Sequence, residues 1–450
     1  MSVYPRSLSH YLNRLSGYNK NNVKLNVLGS TSASQGDIIQ VDLPTNSIVD
    51  LSSLAWSLQC SFAKQPLTTP GDGSTQQQMA LPSNVEALID RLEVQINGQS
   101  LVNITNYNTL FHALLYTTAT DDYQRMRRIA QSNVEVGSEE RDGLVVTYPG
   151  DVAVVRDHVV DSWLGFLGNS KPNFIDTSLL GNVRIQITLN NGDIIGGGAS
   201  GTFGATGAAL AAGLAPTKRE FSIVQQHFSI DVISISDGIY DSMIDSMLAS
   251  GKPIEVPFKN YLSYTHTQGD MNINMPFSVS SQSIDRLWAI ARDAAYNSSA
   301  NNSVILAKGV GNTGNMIPYF NYSNRGGTNF EFTVNNTTYP AYNSGEARDW
   351  VQQLRNAIGD QGNMLSGCVP TSLAQYKDNF FTFAVSLEHH SGADERFVSG
   401  IDTRGASANC MFKSVGAGVG GAGDSHQIVV FCEMTSILEI KANKVITVIQ

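Results

Sequence analysis

The chain has 450 residues, of which 15% are charged, and carries a formal net charge of −10. That length suits two domains of about 200 residues each, both large enough to bury a core. The negative balance argues against a nucleic-acid surface spread over the molecule, because phosphate binding needs clustered Lys and Arg.

In chain order, residues 1–32 read as a basic arm. Arg6, Arg14, Lys20 and Lys24 meet no acid in the first 24 residues, and Leu8, Tyr11, Leu12 and Leu15 fall on one face of a short amphipathic helix. Strands are predicted over residues 37–43 and 54–63. Residues 87–102 follow as a hairpin, where Leu92, Val94 and Ile96 alternate with Arg91, Glu93 and Gln95 before the Asn97-Gly98 turn. Leu110, Phe111, Leu114 and Leu115 then mark a helix, with a charged segment over 121–128. Further strands are predicted at 144–148, 152–155, 183–189 and 221–235, and the Gly- and Ala-rich stretch 192–216 reads as a long loop. Asp237 is placed to cap a helix that turns Tyr240, Met243, Ile244 and Met247 inward and ends at Gly251. The domain junction is set there, giving a first domain over 33–248 and a second over 249–450.

The second domain is predicted to open with strands at 254–264 and 271–279. Ile284-Asp285-Arg286-Leu287 then repeats Ile89-Asp90-Arg91-Leu92. A polar excursion over 297–327 leads to a strand at 330–334, a helix capped by Ser344 that carries Trp350, Val351, Leu354 and Ile358, and strands at 381–387, 427–432 and 438–449. Both halves follow one order, so the reading is a duplication with Ile89 and Leu92 matched to Ile284 and Leu287 on inward faces of matching strands. The fold class is all-β: two consecutive eight-stranded jelly rolls with short helices in the loops.

Catalytic and cofactor patterns are weak. Cys60, Cys368, Cys410 and Cys432 form neither a C-x-x-C pair nor a zinc-ligand spacing with His, and read as reduced structural thiols. Gly416, Gly418 and Gly421 fit G-x-G-x-x-G, but a strand follows where a dinucleotide loop needs a helix. Glu388-His389-His390 would send neighbours to opposite faces of a strand. Asp121-Asp122 and Glu139-Glu140 read as solvated acids rather than a glycosidase pair. Trp56, Trp163, Trp288 and Trp350 sit in apolar patterns that suit core packing better than sugar stacking. No signal peptide and no run of 18 apolar residues is seen, so the expectation is a soluble protein made inside a cell, without metal or cofactor.

Four segments resemble the double jelly-roll major capsid proteins of icosahedral double-stranded DNA viruses, a lineage that includes tectiviruses, adenoviruses, large algal viruses, virophages and polinton-like viruses. They are residues 88–99; Phe258-Lys259-Asn260-Tyr261-Leu262 with 271–290, where Pro276 precedes Leu287-Trp288; Phe383 to Glu388 with Ser391-Gly392 and Ser399-Gly400-Ile401-Asp402; and 428–449. In the third, His390 stands where Pro is usual and Gly400 where Arg is usual. The resemblance implies a non-enzymatic virion protein, assembled in the host cell. Three chains would form a pseudo-hexagonal homotrimer that meets neighbouring capsomers, penton and minor capsid proteins, with no sequence-specific nucleic-acid binding. The arm, through Arg6, Leu8, Leu12, Arg14, Leu15, Lys20 and Lys24, would contact an internal membrane or a neighbouring protein. The alternative left open by the residues is a two-domain β-sandwich that binds or cleaves carbohydrate.

Overall fold

The computed structural model describes residues 18–62, 77–81, 85–118, 144–147, 154–194, 196–199, 220–235, 239–251, 253–294, 322–358, 373–389, 400–405, 409–416, 425–441 and 445–450. The first half carries β1 (Tyr18–Leu25), β2 (Ala33–Ser34), β3 (Ile38–Asp42), β4 (Ile48–Phe62), β5 (Gln77–Leu81), β6 (Ile89–Ile96), β7 (Gln99–Thr105), β8 (Leu144–Thr147), β9 (Val154–Val160), β10 (Phe174–Asp176), β11 (Val183–Leu189), β12 (Gly196–Ala199) and β13 (Phe221–Ile235). Helices α1 (Tyr107–Thr118), α2 (Phe166–Asn169) and α3 (Thr177–Leu180) lie between them, and α4 (Ile239–Ala249) follows β13. The second half carries β14 (Ile254–Gln268), β15 (Ile273–Ser278), β16 (Ile284–Asp293), β17 (Gly327–Val334), β18 (Thr337–Tyr339), β19 (Thr382–Ser386), β20 (Asn409–Gly416), β21 (His426–Lys441) and β22 (Val445–Ile449), with α5 (Ala347–Ile358) and α6 (Leu373–Asn379) before β19.

Each half is a sandwich of two antiparallel sheets, and the strand order repeats. The first half has β1-β13-β4-β10, flanked by β2 and β9, facing β3-β11-β6-β7; the second has β14-β21-β16-β19, joined by β22, facing β15-β20-β17-β18. This is the jelly-roll order twice. A small sheet, β12-β5-β8, gathers three excursions of the first half. Alternation explains the layers: β11 buries Val183, Ile185, Ile187 and Leu189 and turns Arg184, Gln186 and Thr188 outward. The hairpins β6–β7 and β17–β18 occupy the same place in their sheets. Asn97-Gly98 and Asn335-Asn336 turn them with positive φ at both residues, the conformation a two-residue hairpin demands.

The strand order corrects the matching suggested by the four-residue echo. Ile89, Leu92, Ile284 and Leu287 are all fully buried. However, β6 is third in the sheet β3-β11-β6-β7, so its counterpart is β17, whereas β16 corresponds to β4. An alternating pattern bounded by a turn fits any half-buried strand, and the echo carries no register. Three further expectations change. Residues 18–25, read as arm, are a sheet strand paired along its length with β13. Met247 is 40% exposed, because α4 lies at the margin of the core. Ser344 precedes α5 by three residues and donates instead to the Phe330 carbonyl at 2.9 Å.

Aromatic rings fill both interiors. Trp56 stacks on Phe228 in the first half at 5.7 Å between centroids. In the second, Phe330 contacts Trp350, Phe381, Phe383 and Phe412 with centroids 4.7–6.4 Å apart. Phe330 therefore ties β17, β19, β20 and α5 together. Replacing it with Ala should cost about 3–5 kcal/mol through the cavity left behind. Urea unfolding of the variant will check this, and an unchanged midpoint would contradict it.

Candidate functional site

The sheet β14-β21-β16-β19 is unusual in burying both faces. Every residue of β21 from 426 to 436 is buried, although an antiparallel sheet commonly leaves one face wet. On the face away from the sandwich core, Tyr261, Glu433, Arg286 and Ser386 lie opposite one another, and Ser263, Phe431, Trp288 and Ala384 form the next row. The first half meets this sheet along its edge strand β14. Thr105 and Asn106, at the end of β7, bond to the Ser263 hydroxyl at 2.6 and 3.2 Å. Nearby, the Tyr322 hydroxyl donates to the Thr109 carbonyl on α1 at 3.1 Å, and His112 meets the Tyr322 ring edge-on. Phe166 packs edge-on against Phe258, and Lys171 N donates to the Pro257 carbonyl at 2.9 Å. This joint between the halves is the best-defined polar construction of the described residues.

A charge network lies on the same sheet, built wholly from the second half. Lys259 Nζ donates to Asp285 Oδ2 at 2.8 Å and to Glu388 Oε1 at 3.3 Å. Arg286 spans Glu433 and Glu388, both at 3.0 Å, and Trp288 Nε1 donates to Glu433 at 3.0 Å. Ser283 and Thr435 hydroxyls donate to Asp285 at 2.6 Å each. A bulge between Ile284 and Arg286 lets Asp285 and Arg286, neighbours in sequence, join one network. The segment around Gly400 closes it: Gly400 N donates to Ser283 Oγ at 2.8 Å, and Ile401 exchanges two backbone bonds with Ile284. A Cβ on Gly400 would overlap the Ile284 carbonyl and the Asp285 carboxylate, so an Arg cannot stand here without moving the backbone.

Burial alone would push the Lys259 ammonium down, but the fields of Glu433, Asp285 and Glu388 outweigh it and raise its pKa above 10.5. Arg286 is raised in the same way by Glu433 and Glu388 against its own burial. Such a network fixes geometry more than it adds stability, because desolvation offsets most of the attraction, whereas removing one partner strands a buried charge.

The other candidate residues are placed as follows. Arg6, Leu8, Leu12, Arg14 and Leu15 lie outside the described residues, as do Cys368, His390, Gly418, Gly421, Asp121-Asp122 and Glu139-Glu140. Lys20 and Lys24 stand on β1, where Lys20 pairs with Asp231 at 2.8 Å and Asp50 at 3.2 Å. All four tryptophans are buried, and each indole N–H donates to a protein oxygen: Gln226, Leu54, Glu433 and Ser344 respectively. None offers a ring face for stacking a sugar. Burial pushes the Cys60 thiol up to about 12 and Cys410 to about 11, and Cys432 is also raised, so none is poised as a nucleophile. Glu388 is engaged by Lys259 and Arg286, and His389 beside it is exposed. Among the described residues no group of three or more His, Cys, Asp or Glu is placed to hold a metal ion, and no helix is long and apolar enough to cross a membrane. Sequence reasoning flagged Asp285 and Arg286 only as part of an echo. It missed Glu433, whose sole signal is an acid inside an apolar run.

The chain matches no family model and no curated protein. Solved structures do match it. PBCV-1 VP54, as fitted into a reconstruction of the virophage Sputnik, aligns with a TM-score of 0.60 at 11% identity over 100% of this chain and 98% of that one. The Faustovirus major capsid protein aligns at 0.60 with 9% identity over 94% and 90%. The mavirus major capsid protein aligns at 0.50 with 10% identity over 95% and 89%. The protein thus has the double jelly-roll fold of these viral capsid proteins, along nearly its whole length.

The Lys259 pairings yield a test. A lysine whose folded pKa is raised contributes its full stability below the unfolded value of about 10.5 and loses it as pH rises through the folded value. Lys259→Met should therefore cost about 3–5 kcal/mol at pH 7 by stranding the carboxylates. In urea titrations the gap between wild type and variant should narrow only above pH 10.5. A gap that closed between pH 6 and 8 would contradict the assignment.

Proposed function

We propose that this chain is the major capsid subunit of an icosahedral double-stranded DNA virus and performs no catalysis. One observation carries the reading: both jelly rolls and the connection between them align end to end with capsid proteins, leaving no segment of domain size for another activity. The reading divides the chain into an N-terminal arm and two jelly rolls of about 200 residues that meet near α4. Three chains close into a ring of six barrels, a nearly hexagonal tower that tiles flat facets. Such a ring needs a heterologous contact, in which one edge of a chain meets a different edge of the next and closes after three steps.

Neighbouring capsomers, penton and minor capsid proteins complete the shell. The residues preceding β1 supply a contact beneath it. Arg6 and Arg14 with the stripe Leu8, Leu12 and Leu15 suit an anionic membrane surface or the acidic face of an adjoining protein.

Sedimentation of the purified chain tests the ring. The expected species has three times the 48.6 kDa chain mass at micromolar concentration, since closed obligate interfaces commonly bury on the order of 2,000 Å² or more. A monomer with native β circular dichroism would overturn the proposal.

A further inference from the structure

A cleft of ≈ 300 Å³ opens at one end of the first sandwich, between Asn46, Ile48, Asp176, Ser234, Ile235 and Tyr240. Among the described residues its one ionic group is Asp176, which is half-buried. That carboxylate accepts from Ser178 N at 2.9 Å and from the Tyr240 hydroxyl at 3.3 Å, and no cation among the described residues pairs with it. Lys20, the cation on β1 toward this end, is already taken by Asp231 and Asp50 at 2.8 and 3.2 Å. Ile48 and Ile235 give the cleft apolar flanks, and Ile235 is 39% exposed.

Such a lining selects a cation with several donors. A guanidinium presents five N–H donors in a planar fork that fits a carboxylate and the oxygens beside it, and its methylene stem lies well along apolar side chains. The strand register brings one close. Ile235 pairs with Tyr18, the first residue of β1, so the chain enters β1 about 4.8 Å, one strand spacing, from the wall of the cleft. Arg14 stands four residues before Tyr18, within about 14 Å even of fully extended chain. It is the nearest cation in sequence on that side.

We propose that this cleft is a guanidinium site filled by Arg14 of the same chain, with Asp176 as the counter-ion and Ile48 and Ile235 along the stem. The arm is thereby parked against its own sandwich. Arg14 held in this way is withheld from the contact beneath the shell until the arm is released. That consequence rests on the capsid reading; the docking itself does not.

Limited trypsin digestion of the full chain, followed by intact mass spectrometry, tests the docking, because Arg6 and Arg14 give separate cuts. In the wild type, cleavage after Arg14 should be at least tenfold slower than after Arg6. Asp176→Asn should abolish that difference while the Arg6 rate and the melting temperature stay unchanged, since Asn also caps α3. Ser234→Lys, at an exposed position on the rim, should do the same by placing a competing cation in the cleft, and it decides the matter if Asp176→Asn lowers the melting temperature. Equal cleavage after both arginines in the wild type, or protection of Arg14 that survives in a variant of unchanged melting temperature, would overturn the proposal. Sedimentation of the same samples reads the trimer separately, so monomers with a protected Arg14 would overturn the capsid reading and leave the docking standing.

Discussion

Everything in the chain beyond its two separate cores depends on the burial of the outer face of β14-β21-β16-β19. A sheet face that carries Lys259, Arg286, Glu388 and Glu433 would normally stay in water, where these groups cost nothing. Here the carboxylates and Lys259 are buried and Arg286 nearly so, and each charge finds its partner inside the protein. The bulge at Asp285, the hydroxyls of Ser283 and Thr435, the indole N–H of Trp288 and the close approach at Gly400 all serve that requirement. The network is specific rather than strongly stabilising: two cations and three carboxylates held by bonds of 2.8–3.3 Å tolerate no sliding of one strand past another. It thereby fixes the register of β16 on β21, and β21 in turn pairs along its length with β14, the strand that the first half contacts.

Contacts along β14 and at Tyr322 join two sandwiches of one strand order into a single unit. Two independent jelly rolls on a tether would move freely. Direct bonds from Thr105, Asn106 and Lys171 to β14, and from Tyr322 to α1, lock the two halves into one unit. Burial holds His112 neutral within this seam, its pKa pushed down to about 3, so the seam stays uncharged on that side across the physiological range.

Much of the fold was legible wherever one face of a strand is wet. The strand at 221–235 and the alternation of Val183 to Leu189 coincide with β13 and β11, and the Asn97-Gly98 turn sits where it was placed. The readings that failed did so where tertiary pairing overrides local pattern. In β1, YNKNNVKL, only Val23 and Leu25 turn inward, so the segment looks like a basic arm until β13 pairs with it. In β21 the polar Glu433, Thr435 and Ser436 interrupt an apolar run and split one 16-residue strand into two predicted pieces; all three are buried. The charge network was least visible, because its members lie up to 176 residues apart and no local spacing records a contact made across a sheet. The Ile-Asp-Arg-Leu echo drew attention to Asp285 and Arg286 for a reason the strand order does not support.

An image of the purified, assembled protein tests the central claim most directly. Averaged electron micrographs viewed down the symmetry axis should show a ring of six similar lobes with a hexagonal outline, two lobes to each chain. A ring of three lobes, or two lobes joined at variable angles, would contradict a subunit built from two rigidly joined and repeated jelly rolls.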